Sequence, residues 1–140
     1  FENKYYNPNL HISFTKKLLS IANTSIDISD GLVADLEKLI NNQKLSYKLF
    51  LKDIPLSKNL NRLINLKIFK KKTFLSCGDD YQILFTASPA KSRIISKTSK
   101  SLGIKISKIG KICGNSEKSQ IIDEKNKKIA LKYKGYIHKF

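Results

Sequence analysis

The chain has 140 residues, a formal net charge of +16 from 27 Lys and Arg against 11 Asp and Glu, and a hydrophobic content of 41%, which suits one compact domain with a core of its own. No apolar run approaches the roughly 18 residues that a membrane-spanning helix needs, and the first residues lack the apolar segment and cleavage pattern of a signal peptide. Two cysteines are too few for a disulfide framework, so a cytoplasmic protein without membrane segments is expected. Methionine is absent, which points to a piece of a longer protein, starting inside it.

In chain order, Phe14, Leu18, Ile21 and Ala22 recur at helical spacing after Pro8 and predict a helix, with Ser13 as a candidate cap. A short strand is expected over Ser25–Ile28. Leu32, Val33, Leu36, Leu39 and Ile40 then form an apolar stripe of period 3.6, giving a helix whose first turn is Asp30-Gly31-Leu32 and which stops at Asn41-Asn42. Leu45, Tyr47, Leu49 and Leu51 alternate as a half-buried strand does, Asp53-Ile54-Pro55 breaks it, and Leu56, Leu60, Leu63 and Ile64 suggest a short helix. Lys70-Lys71-Lys72 reads as a solvated loop face.

The next strand is expected from Tyr81 to Ala87, with apolar residues on both faces and so with both faces covered. Ser88-Pro89 pairs an N-cap residue with proline at the first helical position. The helix that follows carries Ile94, Ile95 and Leu102 and ends at Gly103. Four short strands are then expected at Ile104–Ile106, Lys108–Cys113, Ser119–Asp123 and Lys128–Tyr133. Helices mixed with hairpin and crossover strands make the fold class α+β, a layered α/β sandwich with a mixed sheet in one domain. Cys77 and Cys113 sit among apolar residues and read as buried, inert thiols.

Against the basic background two acidic clusters stand out: Asp27-Ile28-Ser29-Asp30-Gly31, from the end of a strand to the start of a helix, and Gly78-Asp79-Asp80-Tyr81, opening a strand. A hard cation such as Mg²⁺ takes carboxylate oxygens together with substrate phosphates and water. Backbone N–H groups and the dipole at a helix start attract anions, Gly31 allows close approach of a ligand, and the Ser29 hydroxyl could bond a phosphate oxygen. A plainer reading fits each cluster too: Asp30 or Ser29 as an N-cap with Asp27 on a surface edge, and Asp79-Asp80 as a tight turn. His11 and His138 have no partner at ligand spacing. The chain has no G-x-x-x-x-G-K-[ST] loop, no G-x-G-x-x-G and no nucleophile elbow.

The strings DISDGLVADL (residues 27–36), CGDDYQILFT (residues 77–86), Lys108 to Ile112 and Gly135-Tyr136-Ile137-His138 together resemble the C-terminal domain of the thiamine-monophosphate kinase family, within the aminoimidazole ribonucleotide synthetase-like superfamily. The likeness runs in order over nearly the whole chain. It implies that this is the second domain of a two-domain enzyme whose N-terminal domain is missing here. The activity implied is ATP- and Mg²⁺-dependent phosphorylation of thiamine monophosphate to thiamine diphosphate, by direct transfer with no covalent enzyme intermediate and no acid, base or nucleophile from this chain.

By matching positions the resemblance makes Asp27 and Asp30 Mg²⁺ ligands, Ser29 an ATP contact, and Gln82 and Tyr136 contacts to substrate, with Gly31, Gly78, Asp79 and Asp80 as a supporting loop. The full-length protein is expected to be a homodimer, and this chain alone to be inactive. Two departures stand out: Gln82 occupies a position where the family has Glu, which removes a negative charge facing a cationic substrate, and Lys139 adds a residue to the terminal motif. Two alternatives remain: another ATP-using enzyme of the superfamily with a different phosphate or carboxylate substrate, and a non-catalytic basic module binding RNA. Scattered lysines with only Arg62 and Arg93 as arginines argue against nucleic acid.

Overall fold

The structure, a computed structural model, describes residues 12–41, 43–78, 81–114 and 116–135. Helix α1 is Ile12–Ile21, strand β1 Thr24–Asp27, helix α2 Leu32–Leu39 and strand β2 Leu45–Phe50. A 3₁₀ turn at Leu51–Asp53 leads to helix α3, Lys58–Asn65, and a second 3₁₀ turn at Lys71–Leu75 leads to strand β3, Ile83–Thr86. A third at Pro89–Lys91 runs into helix α4, Ser92–Leu102, and strands β4 (Gly110–Gly114), β5 (Gln120–Ile122) and β6 (Lys128–Ile129) complete the order.

Strands β1 and β3 form an antiparallel ribbon running from Thr24 opposite Thr86 to Asp27 opposite Ile83. The other four make a mixed sheet in the order β4-β2-β5-β6, in which β2 is antiparallel to β4 and parallel to β5. Alternation along β3 assigns its faces to two apolar clusters. Leu84 joins the larger one, which contains Leu32, Val33, Leu36 and Leu39 of α2 and Tyr47 and Leu49 of β2. Ile83 and Phe85 pack on the smaller one, formed by Phe14, Leu18 and Ile21 of α1, and the Phe14 and Phe85 rings meet at 5.8 Å in a tilted arrangement. Both faces of the ribbon are covered, as its sequence indicates, and the α+β class with a mixed sheet holds.

Several local expectations are corrected. Ser13 lies inside α1 rather than at its cap. Ser88 does cap, accepting from the Ala90 N–H at 3.4 Å, but the first turn is 3₁₀. Gly103 ends α4 in the left-handed region (φ 62°), and the paired bonds Gly103 N–H to Lys100 O and Ile104 N–H to Ser99 O form a Schellman exit. That exit uses the Ile104 amide, and Ile104–Ile106 is not a strand; its isoleucines fill the smaller core instead. The last ladder stops at Ile129, because the chain beyond it turns back onto α2, where the Ala34 N–H donates to Lys134 O at 3.1 Å. Ile94 faces solvent at 44% exposure, and Thr98 takes the buried position on α4. The thiols are not buried either: Cys77 is exposed and Cys113 half-buried.

Leu49, 2% exposed in the sheet, and Ile94 separate core from surface. Leu49→Ala is expected to cost about 2–5 kcal/mol by cavity formation, and Ile94→Ala to stay within about 0.5 kcal/mol of the parent, both read by urea denaturation.

Candidate functional site

The first acidic cluster is organised by a residue that composition and spacing did not single out. Asp35 lies three residues after Leu32 and four before Leu39, so the geometry of α2 turns it inward with the apolar stripe, and it is 0% exposed. Its Oδ2 accepts backbone N–H bonds from Ser29 at 2.9 Å, Asp30 at 2.9 Å and Gly31 at 3.1 Å. Its Oδ1 accepts from Lys38 Nζ at 2.7 Å. Burial raises the Asp35 pKa, but the Lys38 ammonium and the three amides together outweigh it and hold the carboxyl below its ordinary value.

The helix therefore starts differently from the expectation. Its N-cap is Gly31, at φ 128° and ψ 150°, with no side-chain cap bond; neither Ser29 nor Asp30 caps, and Asp30-Gly31 precede the helix. A Cβ at Gly31 would be strained by that φ and would also lie 3.0 Å from the Ser76 carbonyl carbon. The amides expected to be free for a ligand anion are spent on Asp35. What the turn offers outward is side chains: Asp27 exposed at the end of β1, Ser29 half-buried, and Asp30 with its side chain 25% exposed. Lys38 Nζ, half-exposed, donates to Asp30 Oδ2 at 2.5 Å. The two carboxylates of Asp30 and Asp35 raise the Lys38 pKa.

The motif segments meet at this turn. Tyr81 N–H donates to Ile28 O at 3.0 Å and Ile28 N–H to Gln82 O at 2.9 Å, extending the ribbon into both clusters. Gly78 approaches so closely that a Cβ there would collide with the Ser29 carbonyl oxygen. From the other side, Ser76 Oγ donates to Tyr133 O at 2.5 Å, and the Lys134 carbonyl accepts from Ala34. Glu37 of α2 fixes this last segment: it accepts from the buried Tyr47 hydroxyl at 3.1 Å and pairs with Lys134 Nζ at 2.8 Å, and burial with the adjacent carboxylate raises the Tyr47 pKa. An open cleft of about 620 Å³ runs along α2 between Ala34, Lys38 and Asn41 and the segment Leu131–Gly135.

Gln82 is exposed beside the turn. Asp79, Asp80 and Tyr136 lie outside the described residues, as do His11 and His138. Among the described residues no group of three or more His, Cys, Asp or Glu is placed to hold a metal ion. Two outward carboxylates nevertheless suit Mg²⁺, which is commonly held by one or two carboxylates with phosphates and water filling the shell.

This architecture is that of a known class of α+β domain. A crystal structure of thiamine-monophosphate kinase from Stenotrophomonas maltophilia K279a superposes with a TM-score of 0.72 at 24% identity, covering 84% of this chain and 36% of that one. A structure described as AaThiL complexed with AMPPCP and TMP gives a TM-score of 0.71 at 24% identity, over 96% of this chain and 40% of that one. No family model matches the chain. In sequence, the thiamine-monophosphate kinase of Buchnera aphidicola subsp. Schizaphis graminum (strain Sg) is 36% identical over 136 residues, 96% of this chain. The chain spans 41% of that relative's length, and over that span it belongs to the thiamine-monophosphate kinase family.

Asp35→Asn removes the charge that three amides and Lys38 share, and is expected to destabilise the chain by about 2–4 kcal/mol near neutral pH. Because the folded pKa is depressed, this contribution is present above about pH 4 and is lost as pH falls through the folded value. Denaturation curves of parent and variant should therefore converge on acidification; a constant gap down to the acid limit would contradict the assignment.

Proposed function

We infer that the chain is the C-terminal domain of a two-domain cytoplasmic kinase, dimeric at full length, which transfers a phosphoryl group from ATP to thiamine monophosphate to give thiamine diphosphate. The observation that carries the reading is the meeting of residues 27–31, 76–78, 81–82 and 133–135 around one carboxylate-bearing turn, in a chain matching a thiamine-monophosphate kinase along 96% of its length. The presence of AMPPCP and TMP in a protein of the same fold supports a nucleotide and a thiamine phosphate as the two substrates.

In this reading Asp27 and Asp30 hold Mg²⁺, which supplies charge neutralisation at the phosphate oxygens during transfer. Ser29 bonds a phosphate oxygen of ATP. Gln82 and Tyr136 meet the thiamine portion, where the face of Tyr136 suits a cationic thiazolium ring. Gly31 and Gly78 let the two loops touch backbone to backbone, and the family resemblance assigns Asp79 and Asp80 to the supporting loop. The chain supplies positioning and charge, with no side chain acting as nucleophile or proton carrier. Two carboxylates make an incomplete cation site, and the N-terminal domain supplies the remainder.

Asp27→Ala with Asp30→Ala in the two-domain protein is expected to lower ATP consumption by at least about a hundredfold, and the 140-residue chain supplied with ATP, Mg²⁺ and thiamine monophosphate should show no turnover. Undiminished ATP consumption by the double variant would sink the metal assignment. Gln82 bears on the acceptor. If it faces the cation, Gln82→Glu should tighten thiamine monophosphate binding about three- to tenfold, read as a lower KM at unchanged kcat, whereas an unchanged KM would favour a superfamily enzyme with a different acceptor.

A further inference from the structure

Lys38 stands where the inferred cation site needs open carboxylate oxygens. Its ammonium is 2.5 Å from Asp30 Oδ2 and 2.7 Å from Asp35 Oδ1. The two acids differ sharply in what else they do. Asp35 is fully covered and committed through Oδ2 to three backbone amides, so it cannot leave without opening the turn. The Asp30 side chain remains a quarter exposed and the Lys38 side chain half exposed. Lysine is a flexible stem with three donors, and it can let go of one carboxylate while keeping the other. Glu37, the neighbouring acid on α2, is already engaged by Tyr47 and Lys134.

We propose that Lys38 is a built-in counter-ion for Asp30, which a divalent cation must displace, so that this lysine sets the affinity of the turn for the metal while Asp35 keeps the displaced ammonium tethered at the site. A divalent ion and an ammonium cannot share one carboxylate oxygen at contact distance without strong repulsion. The displaced head stays on the Oδ1 side of Asp35, next to the cleft along α2 that Lys38 also lines. Lys38 is thus a positioning residue, acting through Asp30, and the inference rests on the reading of Asp30 as a cation ligand.

The test is a titration of the 140-residue chain with Mn²⁺, read as paramagnetic broadening of the backbone amide signals of residues 27–31. Lys38→Gln should tighten Mn²⁺ binding about tenfold, since an attraction and a repulsion of ordinary ion-pair size both change; Lys38→Arg, which keeps the charge, should bind like the parent; Asp30→Asn should abolish the broadening in either background. In the parent, added Mg²⁺ should shift the Lys38 ammonium signal and leave the Ser29, Asp30 and Gly31 amides hydrogen-bonded. This last measurement decides the matter even if Lys38→Gln folds poorly. Unchanged or weaker Mn²⁺ binding in a folded Lys38→Gln variant, with Asp30→Asn still abolishing it, would overturn the role of Lys38 alone. Broadening that persists in both Asp30→Asn and Asp27→Asn would remove the cation site itself, and this proposal with it.

Discussion

The site depends on a carboxylate that never faces solvent. Asp35 gathers three consecutive amides on one oxygen, and that convergence curls the chain between β1 and α2 into a single shape. Charge-assisted bonds of this kind are shorter and stronger than neutral ones, and Lys38 balances the charge that burial would otherwise penalise. With the turn fixed, Asp27 stands exposed, Ser29 half-buried, and the Asp30 side chain a quarter exposed beside Lys38. A hydrophobic residue at position 35 would pack as well against Leu32 and Leu39 and would leave three amides without an acceptor.

The rest of the fold brings other segments to that turn. The β1 ladder continues past its formal end through the Ile28 bonds to Tyr81 and Gln82, so these two residues arrive at the first acidic motif by backbone pairing. The 131–135 segment is held by α2 through Glu37, Lys134 and the Ala34 amide. Three stretches more than 40 positions apart in the sequence thus share one surface. The contacts that join them are made largely by backbone groups, with Asp30 held at the same turn by the Lys38 ammonium.

Much of this was legible from sequence, for identifiable reasons. Helical spacing of apolar residues located α1 and α2, and the Ser88-Pro89 start and Gly103 exit of α4 were marked by residues with narrow backbone preferences. The two-faced apolar pattern of β3 foretold cores on both sides. The misses have physical causes as well. Alternating isoleucines at 104 and 106 fill a core without joining a strand ladder, so periodicity alone counted them as strand. Asp30 and Ser29 have the chemistry of caps, but the capping is done from inside the helix by Asp35. The signal was available: an aspartate in register with leucines on a buried stripe needs partners, and the nearest donors are the amides of the turn leading into its own helix.

The ribbon of β1 and β3 is a partition as well as a platform. Helices α1 and α4 rest on the face that carries Ile83 and Phe85, whereas the acidic turn grows from the other side, among the residues around Leu84 and α2. Proteins open to solvent in cooperative pieces of unequal stability, and among the described residues the smaller cluster holds three buried apolar side chains against twelve in the larger. Loosening of the outer helical layer would leave the bonds that shape the acidic turn untouched, since they come from Asp35, Tyr81 and Gln82 and none of them from α1 or α4.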